Sequence, residues 1–93
     1  MLDDEIARDV VKACIRIVGE LTPSEIIRMQ HKLKTLRIIT DPQLEELRVR
    51  ILDGLENLDQ PFELNKEFLN GIENSTKVRE VIAIVAEHSE PQN

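Results

Sequence analysis

The sequence predicts an all-α protein, a small bundle of four main helices in one domain over residues 1–88. Three observations lead there. Apolar residues recur three and four apart through most of the chain, the spacing of one face of a helix. Aromatic residues are confined to Phe62 and Phe68, so the core must be built from Leu, Ile and Val packed by aliphatic interdigitation. The prolines fall between the periodic segments, where they punctuate helices rather than break them. Ninety-three residues suffice for one modest core, and residues 89–93, without apolar content, are expected to form a disordered tail.

Asp3 and Asp4 are placed to cap a first helix that runs to about Glu20, with negative charge at its positive end. Its stripe is Ile6, Val10, Ala13, Cys14, Ile17 and Leu21, widened by Val11, Ile15 and Val18. Thr22-Pro23-Ser24-Glu25 carries the signature of a capping box with proline at the first helical position. The segment 24–40 then admits two readings. Its pattern favours an additional helix with Ile26, Ile27, Gln30, Leu33 and Leu36 on one face; the other reading is a long structured connection. Asp41-Pro42 repeats the start signal, with Asp41 as cap, before the most regular helix of the chain, marked by Leu44, Leu47, Ile51, Leu55 and Leu58. Asp59-Gln60-Pro61 ends it and opens a short helix through Phe62, Leu64, Phe68, Leu69 and Ile72. Ser75 or Thr76 is then expected to cap a last helix with Val78, Val81, Ile82 and Val85.

The formal charge is −6, and its distribution is uneven. Residues 24–40 carry +3, one acid against four bases, whereas residues 41–60 carry −4, six acids against two. An acidic chain with one local basic strip (Arg28, Lys32, Lys34, Arg37) is poorly suited to nucleic acid, whose phosphates require clustered cations. The basic positions also divide between two helical faces, as a solvated surface would. The longest apolar run, Val81–Ala86, is too short to span a membrane, and from the acidic start Met-Leu-Asp-Asp-Glu no secretory signal is expected. A single cysteine excludes an internal disulfide, and the cytoplasm is the expected location.

No catalytic constellation is legible. His31 and His88 have no nucleophile or orienting acid patterned around them, and one Cys with two distant His matches no zinc spacing. Cys14 falls on an apolar stripe and reads as a buried structural thiol. The three glycines are isolated, so no phosphate loop is present. Neither a metal nor a cofactor is expected, and the chain is expected not to be an enzyme. The acidic positions Asp41, Glu45, Glu46, Asp53 and Glu56 flank the apolar stripe of the 41–58 helix, as on a helix offered to a basic partner surface. Arg48 and Arg50 interrupt them, and the pairs Glu45–Arg48 and Glu46–Arg50 would account for much of the pattern without any partner.

Taken in order, Leu33-x-x-Leu36-Arg-Ile38, Leu44-Glu-Glu-Leu47-x-x-x-Ile51 and Thr76-Lys-Val78-Arg-Glu-Val81-Ile82 resemble the corresponding stretches of an acyl carrier protein. The resemblance spans roughly Ile6 to Glu87. It implies a first helix, a long connection, an acidic second helix after an Asp-containing turn, a short third helix and a Val-rich last one. The family's turn is Gly-x-Asp-Ser-Leu, with phosphopantetheine on the serine. Matching Leu44 and Leu47 to the family's apolar positions puts Gln43 at the serine and Pro42 at the aspartate, and Arg37 replaces the preceding glycine. A phosphodiester cannot be made on Gln43, so the resemblance implies a carrier-like fold without covalent cargo.

The sequence thus leads to a non-enzymatic, carrier-like interaction module that docks through Asp41, Glu45, Glu46, Asp53 and Glu56 to a protein with a basic surface. The alternative is a small acidic helical regulator or inhibitor, of the immunity or anti-activator type, unrelated to acyl transfer. Either could be a monomer or a homodimer paired through the wide stripe of the first helix.

Overall fold

The computed structural model describes residues 2–92. The chain is small and mostly helical, with α1 (Asp4–Val18), α2 (Asp41–Glu56) and α3 (Val78–His88). Two 3-10 turns, Leu33–Leu36 and Lys66–Leu69, lie in the connections, and β1 (Phe62–Glu63) pairs antiparallel with β2 (Glu90–Pro91). Three α-helices among the described residues, rather than four main ones, form the framework.

α1 is capped by Asp3, whose Oδ1 accepts from the Glu5 N–H at 2.8 Å. It ends at Val18, two residues before the expected end, and Glu20 beyond it takes a left-handed φ of 54°. Gly19 is required here by close approach: a Cβ would stand 2.3 Å from the Leu36 carbonyl oxygen. The buried face of α1 is Ala7, Val10, Val11, Cys14, Ile15 and Val18. The stripe expected from the sequence is therefore rotated. Val11, Ile15 and Val18 are buried members of it, while Ile6, Ala13 and Ile17 face solvent.

Segment 24–40 is the main correction to the helical pattern. It is an irregular connection apart from the turn Leu33–Leu36, and its capping signal survives only in part. Glu25 Oε2 accepts from the Thr22 N–H at 2.6 Å, but no helix follows. Ile27, Leu33, Leu36 and Ile38 enter the core, whereas Ile26 is 67% exposed and Gln30 faces water. Its backbone bonds go to the approach to α3. The N–H groups of Leu33 and Lys34 donate to the carbonyls of Thr76 and Asn74, and those of Val78 and Arg79 donate to His31 and Met29. These pairings satisfy both the loop and the first turn of α3, which a local helix over 24–40 could not do. Neither Ser75 nor Thr76 caps α3. Lys77 occupies the cap position, its N–H donating to Glu80 Oε1, and the Thr76 hydroxyl instead accepts from the Glu73 N–H.

Arginines hold the connection in place. Arg16 donates to the carbonyls of Thr22 and Glu25, and Arg37, at a left-handed φ of 67°, reaches the Gly19 carbonyl and the Glu25 carboxylate. The stretch 61–72, expected as a short helix, is a strand followed by the turn Lys66–Leu69. Arg48 fixes it by donating to the carbonyls of Leu69 and Ile72 at 2.9 and 2.8 Å. Residues 89–92, expected to be disordered, are instead tied down. Ser89 is buried, Glu90–Pro91 forms the ladder, and the Gln92 N–H donates to the Pro61 carbonyl; Asn93 lies outside the described residues.

Candidate functional site

The N-terminus of α2 is built as a reciprocal knot. Thr40, not Asp41, is the N-cap, and Asp41, Pro42 and Gln43 form the first turn. The Thr40 hydroxyl oxygen accepts from the Gln43 N–H at 3.3 Å, while Gln43 Oε1 accepts from the N–H groups of Ile39 and Thr40 at 2.8 and 3.0 Å. Gln43 Nε2 donates to the Arg37 carbonyl at 2.8 Å. Every polar atom of this side chain is thus engaged in closing the loop onto the helix. The Thr40 hydroxyl at the turn is occupied as well, since it also donates to Gln43 Oε1 at 3.2 Å. Thr40-x-x-Gln43 is a capping-box pattern and was readable from the sequence; the pairing of Gln43 with Arg37 was not.

From this fixed start, α2 buries Leu44, Leu47, Ile51 and Leu55 and turns its other side outward. At 3.6 residues per turn, Pro42, Glu45, Glu46, Val49, Asp53 and Glu56 fall within an arc of about 100°, with Asp41 just beyond its edge. All are exposed. Val49, 42% exposed, sits near the centre of a shallow groove between Pro42, Glu45, Glu46 and Asp53. The five acidic positions named from the sequence therefore belong to one side of one helix.

Their charges are not equally free. Glu46 pairs with Arg50 at 2.7 Å, and Glu45 pairs with Arg48 at 3.5 Å and with Lys66 across to the next segment. The hydrogen bond from Lys66, aided by Arg48, holds the Glu45 carboxyl below the ordinary carboxylate value. Asp41, Asp53 and Glu56 form no ion pair among the described residues. The face keeps a negative field, but local pairing accounts for part of it, and such exposed pairs contribute little to stability.

The remaining reactive groups sit apart. Cys14 is buried, and desolvation pushes its thiol up to about 11 against the opposing pull of Arg50. His31 Nδ1 accepts from the Arg28 N–H at 3.1 Å, closing a turn. His88 stacks on Phe68 with ring centroids 3.9 Å apart and planes 5° from parallel. Among the described residues no group of three or more His, Cys, Asp or Glu side chains converges as a metal site would, and no helix is long and apolar enough to cross a membrane. No protein-family model, curated protein or solved structure matches the chain.

Proposed function

We propose that this chain is a non-enzymatic, acyl-carrier-like interaction module without a covalent arm, and that it docks to a basic protein surface through the outer side of α2. The observation that carries the reading is the path of the chain into that helix. A long irregular connection, anchored by Leu33, Leu36 and Ile38, delivers it to a capped turn from which the acidic side of α2 projects. A carrier-like arrangement needs such a connection, and a continuous helix over 24–40 would have argued against it. At the position matching the carrier serine, Gln43 serves as a structural tie, which supports docking without cargo. Asp41, Asp53 and Glu56 supply unpaired charge at both ends of the face, and Val49 supplies an apolar contact between them. Charge of this kind acts mainly on encounter rate and orientation.

The test has two arms. Intact mass after incubation with coenzyme A and a broad-specificity phosphopantetheinyl transferase should show no gain; a gain mapping to this chain would overturn the cargo-free assignment. Affinity capture with the wild-type chain should then be compared with the Asp53→Lys variant, which breaks no ion pair, and with a Glu45→Lys, Glu46→Lys, Asp53→Lys variant. Acyl-transfer enzymes should be among the proteins that charge reversal releases. Unchanged capture would eliminate the face, and release of a toxin or transcription factor alone would favour the acidic-regulator reading.

A further inference from the structure

We propose that the seam between α1 and α2 is a docking trough for a cationic amphipathic helix of a partner protein. The trough begins with the rotation of α1 described above. Ile6, Ala13 and Ile17 are exposed, at 41% and 53% for the two isoleucines, and with Val10 they recur four, three and four residues apart. They form an aliphatic rail of about 16 Å, three turns of helix. The facing wall is lowered at Gly54, where even a Cβ would lie 3.1 Å from Val10 Cγ1 and 3.9 Å from Cys14 Sγ. Two adjoining hollows of about 390 and 550 Å³ share Asp9 and Val10 and carry the trough from Ile17 down to Leu58 and Phe62.

Charge decides what fits. Asp9, Asp53 and Asp59 stand along the rim, and none forms an ion pair among the described residues. The cation on this rim, Arg50, is already held by Glu46. An apolar rail three turns long between unpaired carboxylates complements a helix with aliphatic residues at i, i+4 and i+7 and Lys or Arg beside them. An anionic bilayer would be repelled by the same carboxylates. A second copy of this chain, paired through the same patch, would bring a second set of aspartates against the first. The trough borders the outer side of α2 at Arg50 and Asp53, but it does not rest on the carrier reading.

The probes are three synthetic peptides titrated into the isotopically labelled full chain and followed by backbone amide shifts. The first is a Leu/Lys amphipathic helix with leucines on one face, the second the same composition scrambled to remove that face, and the third a Leu/Glu counterpart. The Leu/Lys peptide should move the amides of Ile6, Ala13, Ile17 and Gly54 in a saturable way, and the other two should bind at least about tenfold more weakly. Ile17→Glu, at an exposed position the fold tolerates, should weaken the Leu/Lys peptide at least about tenfold. Asp9→Lys should do so by several-fold, and Glu45→Lys, whose partners Arg48 and Lys66 lie outside the trough, should leave this binding unchanged while testing the α2 face separately. The proposal is overturned by equal binding of the scrambled peptide, by shifts confined to Glu45–Val49, or by no saturation up to about 1 mM. Sedimentation of the chain as a dimer that Ile17→Glu dissociates would overturn it as well.

Discussion

Replacing Gln43 by alanine should loosen the entry to α2 without touching the core. Besides the weaker contact from the Thr40 hydroxyl at 3.2 Å, the side chain makes three bonds to backbone, accepting from the N–H groups of Ile39 and Thr40 and donating to the Arg37 carbonyl, all between 2.8 and 3.0 Å. Each is exposed and trades against water, so each contributes at the lower end of about 0.5–1.5 kcal/mol, and the three together about 2 kcal/mol. For a domain of this size that corresponds to a fall in Tm of about 8–16 °C. Urea unfolding followed by circular dichroism gives the global loss, and amide exchange should accelerate first at Ile39 and Thr40. Gln43→Glu sharpens the argument, because it keeps the acceptor oxygen of the capping box and puts negative charge at the helix N-terminus, which offsets the lost donor and the new oxygen-to-oxygen contact with the Arg37 carbonyl. It should cost less than half as much. A loss below about 0.5 kcal/mol for Gln43→Ala, or equal losses for the two variants, would refute the view that this side chain ties the loop to the helix.

Other expectations follow from single contacts. Gly19→Ala should destabilise by about 1–3 kcal/mol or more, because the methyl would meet the backbone oxygens of Leu36 and Ile15, at 2.3 and 3.1 Å, and backbone must move. Gly71→Ala has nothing within 4 Å and should be neutral or stabilise by up to about 1 kcal/mol, so equal effects in paired melts would contradict the packing at Gly19. Cys14, with its thiol raised to about 11 by burial, should alkylate far more slowly in the native chain than in urea at mildly alkaline pH; equal rates would place it at the surface. Glu25 has its carboxyl lowered first by the hydrogen bond from Arg37 and then by the Thr22 N–H. A lowered folded value means its contribution is present above the unfolded carboxyl range and lost as pH falls through the folded value. Glu25→Gln should therefore flatten the acid limb of stability against pH and leave its alkaline limb unchanged.

The legible parts of this fold are those where the deciding forces are local. α2 was readable because Leu44, Leu47, Ile51 and Leu55 follow one helical face and a start signal precedes them, and all four are buried. The pairs Glu45–Arg48 and Glu46–Arg50 were readable for the same reason, since side chains three and four apart on a helix must meet. The rotation of the α1 stripe was not. That helix carries apolar residues around most of its circumference, and only the placement of α2 and α3 decides which of them are covered.

Among the four main helices it led us to expect, the sequence by itself located the three that form, and it set the aliphatic composition of the core, because periodicity acts within a few residues. Tertiary structure alone decided the course of 24–40, the turn Lys66–Leu69 and the ordering of 89–92. In 24–40 the helical pattern lost to pairing with residues 74–79, about forty to fifty positions away, which satisfies the backbone of both segments while Ile27, Leu33 and Ile38 are buried. A short helix there would have gained only marginal stability of its own. The long-range hydrogen bonds and the buried anchors together outweigh it, and that exchange also leaves α2 entering through a loop, with its acidic side exposed.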